Sequence, residues 1–231
     1  MKADIPSRLK VEIEITGDGS HTLYVPELKE HYHSVFGAIA ESRHIFIDAG
    51  FRYIYSKSEG IRILEIGFGT GLNALLTCME AEISGKKVEY SAIELNPVGD
   101  EIYSRLNFNE LVNYPGSREI FLRLHQSPWN EKVQINTGFS LDKINISLHE
   151  FKPQLAAFDL VYFDAFGPDI QPEMWTEDVF IMMASGLKKC GVLVTYSTKG
   201  LVKRNLISSG FKIEKLPGPR GKREILRATK I

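Results

Sequence analysis

Cysteine is scarce in this chain of 231 residues. Cys78 and Cys190 are the only two, far apart, with no CxxC pair and no neighbouring histidine cluster. That excludes a disulfide framework and offers no zinc-ligand spacing, so no metal is expected and both thiols read as buried apolar side chains. Long hydrophobic runs are missing as well. No apolar stretch approaches the length that spans a bilayer. The leading MKADIPSRLKVEIEI lacks the apolar core of a secretion signal. A reduced, cytoplasmic protein with no membrane partner is the expectation. There is no low-complexity tract, internal repeat or block of like charge, so nothing points to disorder. The length suits one α/β domain with a substantial core and a small appendage.

Charge is unevenly spread. Residues 199–231 hold ten basic side chains against Glu214 and Glu224, a net +8, which leaves −9 on the remainder of a chain whose total is −1. Such a tail suits a polyanion-binding face, and it equally suits a solvated surface. Charge alone leaves both open.

Lys10–Ile15 alternates like a half-buried strand, Gly17-Asp18-Gly19 marks a turn, and Thr22–Val25 is the return strand. Tyr32–Asp48 reads as a helix with Val35, Phe36, Ile39 and Phe46 on its apolar face and Gly50 placed to stop it. From residue 60 the rhythm is strand then helix: strands at Ile61–Ile66, Val88–Ile93, Phe158–Phe163 and Gly191–Tyr196, and helices at Leu72–Ile83, Pro97–Leu106, Thr176–Lys189 and Leu201–Ser209. Apolar strands alternating with helices imply a largely parallel sheet covered on both faces. The last two strands, Phe211–Leu216 and Arg223–Ala228, are joined too tightly for a crossover and must pair antiparallel. Val133–Asn136 and Phe139–Ile146 form a local hairpin, preceded by an insertion at 113–130 with a short helix. The expected fold is therefore a Rossmann-like α/β domain over 60–231. Its sheet is mostly parallel and seven-stranded, closed by a C-terminal antiparallel hairpin. Residues 1–59 add a small hairpin-and-helix extension.

The sequence Glu65-Ile66-Gly67-Phe68-Gly69-Thr70-Gly71 follows a strand and opens a helix. Glycines there permit a sharp turn and close approach of a ligand. Gly71-Leu72-Asn73 lacks the lysine and hydroxyl of a phosphate-binding Walker loop. Glu65 would sit poorly beside a pyrophosphate, but it suits a phosphate-free ligand with a positive group, such as the α-amino group of methionine. Glu94 ends the next strand, 27 residues after Gly67, where a carboxylate can accept from both ribose hydroxyls. The pair fits S-adenosylmethionine. Asp164 ends the strand Phe158–Phe163 and should face the same crevice, where a carboxylate could orient an amine nucleophile and take its proton. A helix cap or turn former is the plainer alternative for Asp164. Phe166 could pack on a flat substrate or belong to the core.

These segments resemble the MnmC/MnmD family of tRNA wobble-uridine methyltransferases. The likeness is carried by DGSHTLYVPEL (18–28), YHSVFGAIAESRHIFI (32–47), ILEIGFGTGLNALL (63–76), VYFDAFGPDIQPEMW (161–175), VTYSTKGLVKRNL (194–206) and LPGPRGKREILRA (216–228), which together run over most of the chain. The resemblance implies methylation of the exocyclic amine of 5-aminomethyluridine, often 2-thiolated, with Asp164 beside that amine. It implies that Gly67, Phe68, Gly69, Gly71, Asn73 and Glu94 hold the cofactor, with Glu41 in the same pocket. It implies that Lys199, Lys203, Arg204, Arg220, Lys222 and Arg223 meet tRNA phosphates. Two departures stand out. Bifunctional members carry a second, FAD-dependent oxidase domain. This chain ends at Ile231, so methylation alone is expected, with a separate oxidase acting upstream. Ser147 stands where methyltransferases often place an Asp against the adenine amine, so a weaker contact is expected there.

Three rivals remain. The same loop and Asp164 would serve a methyltransferase of small-molecule or protein amines, against which the basic tail argues modestly. A non-catalytic adenosine-ligand or RNA-binding module would not need Asp164 and Glu94 intact. An aminopropyltransferase, of related fold, is not excluded by Glu65.

Overall fold

The computed structural model describes residues 10–55 and 60–231. The leading residues 1–9 lie outside the described residues, as do residues 56–59, where the sequence places the end of the N-terminal extension.

A small antiparallel sheet comes first: β1 (Glu12–Ile15), β2 (His21–Val25) and β3 (Glu30–His31), in that spatial order. Its turn is knotted by Asp18. Asp18 Oδ1 accepts from Thr16 Oγ1 at 2.9 Å and from Ser20 N at 3.0 Å, and Oδ2 accepts from Ala40 N at 2.9 Å. The helix expected over Tyr32–Asp48 begins only at α1 (Ala38–Ser42). It then widens into a π-helical stretch (Arg43–Phe51) and ends as α2 (Arg52–Tyr55). Gly50 does not stop it. A Cβ there would lie 3.1 Å from Val194 and 3.2 Å from Tyr162, so the missing side chain lets the helix lie on the large sheet instead.

The large sheet is built from β4 (Gly60–Ile66), β5 (Lys87–Glu94), β6 (Lys132–Asn136), β7 (Phe139–Asn145), β8 (Phe158–Phe163), β9 (Leu187–Thr195), β10 (Phe211–Pro217) and β11 (Glu224–Lys230). Their order is β10-β11-β9-β8-β4-β5-β7-β6. Neighbours from β9 to β7 pair parallel, while β10–β11, β11–β9 and β7–β6 pair antiparallel. The sheet thus has eight strands rather than seven. The extra one is the outer arm of the hairpin read at Val133–Asn136, which lies in the sheet as an edge strand. The central strands are buried on both faces, as their unbroken apolar runs require.

Helices α3 (Leu72–Ser84), α4 (Asp100–Tyr103), α5 (Phe108–Leu111), α6 (Ser117–Gln126), α7 (Glu177–Gly186) and α8 (Gly200–Ser208) connect the strands. Two expected helices are shorter than read. The helix placed at Pro97–Leu106 is the single turn α4, and α5 is a separate turn. Between them Asn107 is committed to the N-terminal turn, accepting from His21 N at 2.8 Å and donating to Gly19 O at 2.9 Å. Helix α7 is capped by Thr176, as expected, but ends at Gly186 because Leu187 already pairs with Phe158 in the sheet. The register of β9 shifts just beyond. There Cys190 adopts a left-handed φ of 61° and is exposed, so only Cys78 is the buried thiol expected of both. Residues of the α1–α2 helix share one apolar core with α3, β4, β5 and β9. No described helix is long and apolar enough to cross a membrane.

Candidate active site

Strand β4 lies between β5 and β8, so the carboxyl ends of these three strands open onto one crevice. A cavity of about 420 Å³ occupies it, within the usual range for a small-ligand site. The glycine loop forms its floor. Gly67, Gly69 and Gly71 have φ of 90°, 49° and 71°. A Cβ at Gly67 would lie 3.0 Å from Asp164 O, and one at Gly71 only 2.7 Å from His125 Nε2. Side chains are excluded there; Gly67 lines the cavity with its backbone, whereas Gly71 is not on the wall and packs toward His125 and Phe68. Phe68 and Gly69 line the cavity as well.

Glu94 closes the end of β5. Its Oε2 accepts from Gly69 N at 3.0 Å and its Oε1 from Asn96 N at 2.8 Å. Each oxygen keeps a second acceptor site, which suits the two hydroxyls of a ribose. Burial raises its pKa, and the backbone donors oppose the rise. Ser147 lines the cavity with Ile146 and His149, where the sequence expects an adenine contact.

Asp164 follows β8 directly and is tied to β4 by its N–H, which donates to Ile66 O at 3.1 Å. Asn73, in the first turn of α3, donates through Nδ2 to Asp164 Oδ2 at 2.8 Å and to Glu65 Oε1 at 2.9 Å. Glu65 is fully buried and does not reach the cavity wall. Burial drives its carboxyl well above the ordinary range, against the pull of the Asn73 hydrogen bond. It lies behind the wall and holds Asn73, whereas the sequence suggests a carboxylate facing a ligand's amino group. Asn73 Oδ1 is buried with no hydrogen-bond partner among the described residues, and Asn73 itself lines the cavity. An orphaned acceptor beside the glycine loop and a carboxylate at the strand end fits a ligand with an ammonium group, a ribose and no phosphate.

Glu41 enters from α1 and lines the same cavity. Its Oε2 accepts from Ser34 N at 2.8 Å, and its Oε1 lies 3.2 Å from Lys222 Nζ. Burial pushes Asp164 up to about 7, and Glu41 adds to the rise, while the Asn73 hydrogen bond and Lys222 oppose it. Lys222 also sits 5.0 Å over the Tyr196 ring. It is thus a cation at the cavity wall, paired with Glu41, where the sequence suggests a phosphate contact.

Tyr32, Phe166 and Tyr196 complete the wall. Tyr32 and Phe166 meet edge to face at 5.1 Å, and Tyr196 donates to Ala165 O at 2.8 Å. Sequence reasoning missed Tyr32 and Tyr196, and it missed the groups beneath the glycine loop. His33 Nε2 bonds Thr70 Oγ1 at 2.7 Å, and burial lowers its pKa to about 4. His125 bonds Thr70 O at 3.0 Å, stacks on Tyr103 at 4.3 Å, and is lowered to about 3 by burial. Both rings are neutral at physiological pH. Buried Lys143 donates to His125 O at 2.6 Å and lies 4.7 Å over Trp129, with its pKa lowered to about 8 by burial. The only signal these carry in sequence is polar residues inside apolar stretches.

The basic tail does not form one face. Lys199 pairs with Asp169, Lys215 with Glu224, and Arg227 with Glu214, while Lys230 donates to Leu187 O. Lys203 and Arg204 lie on α8, away from the cavity wall, whereas Arg220 and Arg223 sit on the β10–β11 turn, whose Gly221 and Lys222 line the cavity.

Residues 111–231 match a family of S-adenosyl-L-methionine-dependent methyltransferases. The chain is 32% identical over 210 residues to the tRNA 5-methylaminomethyl-2-thiouridine biosynthesis bifunctional protein MnmC of Leptospira interrogans, a match covering 84% of this chain and 32% of that protein. It is 28% identical over 235 residues to the protein of the same name from Cupriavidus metallidurans, covering 91% of this chain and 32% of that one. The chain spans about a third of the length of these relatives. Among solved structures it resembles MNMC2 of Aquifex aeolicus with a TM-score of 0.78 and 28% identity, covering 96% of this chain and 71% of that one.

Proposed function

The chain belongs to the S-adenosyl-L-methionine-dependent methyltransferase family, and from that premise we propose that it methylates the exocyclic amine of 5-aminomethyl-2-thiouridine at the wobble position of tRNA, giving 5-methylaminomethyl-2-thiouridine. The names of the relatives support that substrate. One observation carries the choice of an amine: Asp164, a carboxyl with a pKa near 7, stands at the crevice beside the glycine loop.

S-adenosylmethionine supplies an activated methyl group on a sulfonium. The protein's part begins with holding that donor. Gly67 and Gly69 would bring backbone against it, Glu94 would accept from its ribose hydroxyls, and Asn73 Oδ1 would accept from its ammonium group. Ser147 would meet its adenine. Asp164 then orients the amine of the acceptor. An alkylamine arrives as an ammonium, which has no lone pair to attack with. Asp164 would take the proton and free the nitrogen lone pair, which would accept the methyl group as the donor's sulfur kept the electrons of the C–S bond. A base whose pKa lies near the working pH is suited to this transfer. Tyr32, Phe166 and Tyr196 exclude water and flank a planar base, and holding both reactants in line contributes much of the acceleration.

The acceptor amine must be released by an earlier reaction, in this reading an oxidative cleavage by a separate oxidase in the cytoplasm. The test is methyl transfer from labelled S-adenosylmethionine to tRNA carrying 5-aminomethyl-2-thiouridine and to matched tRNA lacking it, followed by nucleoside analysis. Label confined to 5-methylaminomethyl-2-thiouridine is expected. Label in neither tRNA, with donor binding intact, would reject the substrate and direct the search to small amines.

A further inference from the structure

The mouth of the cavity carries an aromatic ring that the reaction does not use. Val35 and Phe36 are 48% and 46% exposed, and both line the opening. They are held firmly nevertheless. Gly17 N donates to Val35 O at 2.8 Å, Phe36 N donates to Ser34 Oγ at 3.2 Å, and Ser34 N is fixed by Glu41. A Cβ at Gly17 would lie 2.9 Å from Phe36 O, so the close backbone contact requires glycine there. Across the opening, the β10–β11 turn meets the ring. Gly221, at φ 87°, leaves the space that the Phe36 ring fills, and the Arg220 guanidinium lies 5.9 Å over the ring. Two loops from opposite ends of the chain thus meet at one exposed aromatic with an arginine beside it. Neither Arg220 nor Arg223 has an ion-pair partner among the described residues.

We propose that Phe36 and Arg220 dock a single-stranded RNA loop, Phe36 stacking on the unpaired base next to the target nucleotide and Arg220 meeting the adjoining phosphate. This rests on the tRNA reading above. A base whose substituent reaches Asp164 must leave its stack, and its neighbour then loses a stacking face. An exposed, pre-ordered ring restores that face, and a guanidinium supplies the charge. A duplex offers no unpaired base, so the surface selects loops.

Binding is tested apart from catalysis, by fluorescence anisotropy with a hairpin RNA carrying an anticodon-type loop and with a blunt duplex of the same stem. Phe36→Ala should weaken hairpin binding about tenfold, leave duplex binding unchanged, and leave the salt slope unchanged. Phe36→Trp should bind the hairpin as the wild type does. Arg220→Ala should lower the slope of log K against log salt by about 1. Equal hairpin affinity in Phe36→Ala and wild type overturns the proposal, and so does an equal loss for hairpin and duplex. Methyl transfer measured in parallel separates the two readings. Phe36-dependent loop binding without methyl transfer would sink the reaction and keep the docking point. Normal methyl transfer with an indifferent Phe36→Ala would do the reverse.

Discussion

Asp164 is pulled in two directions. Burial and Glu41 favour its protonated form, while the Asn73 amide and the Lys222 ammonium favour the carboxylate, and the balance lies at about 7. If it accepts the amine's proton, log kcat/KM should rise with pH and level off near pH 7, because only the ionised form can accept. Asp164→Asn should reduce kcat by about 10²- to 10⁴-fold while donor affinity, measured by equilibrium dialysis, stays within a few-fold. Asn73→Ala tests the balance itself. Removing the donor 2.8 Å from Asp164 Oδ2 takes away a stabiliser of the charged form, so the acidic limb should move to higher pH. A limb that stays put would belong to the substrate amine. Glu65 gives a third test. Burial raises its carboxyl and it accepts from Asn73, so Glu65→Gln, which keeps the acceptor oxygen without the charge, should be tolerated with near-normal melting and turnover. Glu65→Ala should cost about 2–4 kcal/mol, since it leaves a void and an unpaired amide donor. Asp164 and Glu94 were legible in the sequence because each ends an apolar strand. The role of Glu65 was not, because its motif position reveals nothing of which way the side chain is enclosed.

The glycine loop and the strands around it could be read directly, because an unbroken apolar run followed by glycines has few other meanings. Helix limits were harder, and Tyr32–Phe36 shows why. Its aromatics fall at helical spacing, but Tyr32 and Phe36 line the cavity, Tyr32 while also packing against the core. Apolar periodicity cannot tell a wall that waits for a ligand from a wall that meets another helix. The eighth strand was read as a hairpin arm, and its place at the sheet edge depends on pairing that no local pattern encodes. The loop makes its own prediction. Gly71→Ala would put a Cβ 2.7 Å from His125 Nε2 and 3.2 Å from the Phe68 ring, at a φ of 71°. The backbone alone costs about 1–2 kcal/mol. The collision should push His125 away from Thr70, which it holds at 3.0 Å. Both the melting temperature and donor affinity should fall. A variant that melts earlier but binds the donor normally would show that the loop's shape survives without its support.

On the scale of the whole molecule, the sequence puts +8 on residues 199–231, yet the fold turns several of those charges inward or pairs them. Lys222 is drawn into the site by Glu41, and Lys199, Lys215 and Arg227 have carboxylate partners. Arg220 and Arg223 remain without ion-pair partners among the described residues, on the turn whose Gly221 and Lys222 line the cavity, and they are where the proposed RNA contact is tested. Lys132 serves as a control, because it lies on β6 at the opposite edge of the sheet and is paired with Glu89. Reversing both arginines to glutamate should lower the slope of log K against log salt for tRNA by about 2, one for each lost phosphate contact. Lys132→Glu should leave that slope unchanged. Equal losses in the two variants would mean that tRNA responds only to the overall field of the protein, and the mouth would then carry no special register. A loss confined to Arg220 and Arg223 would fix the RNA backbone over the opening, where a target nucleotide must enter to bring its amine to Asp164.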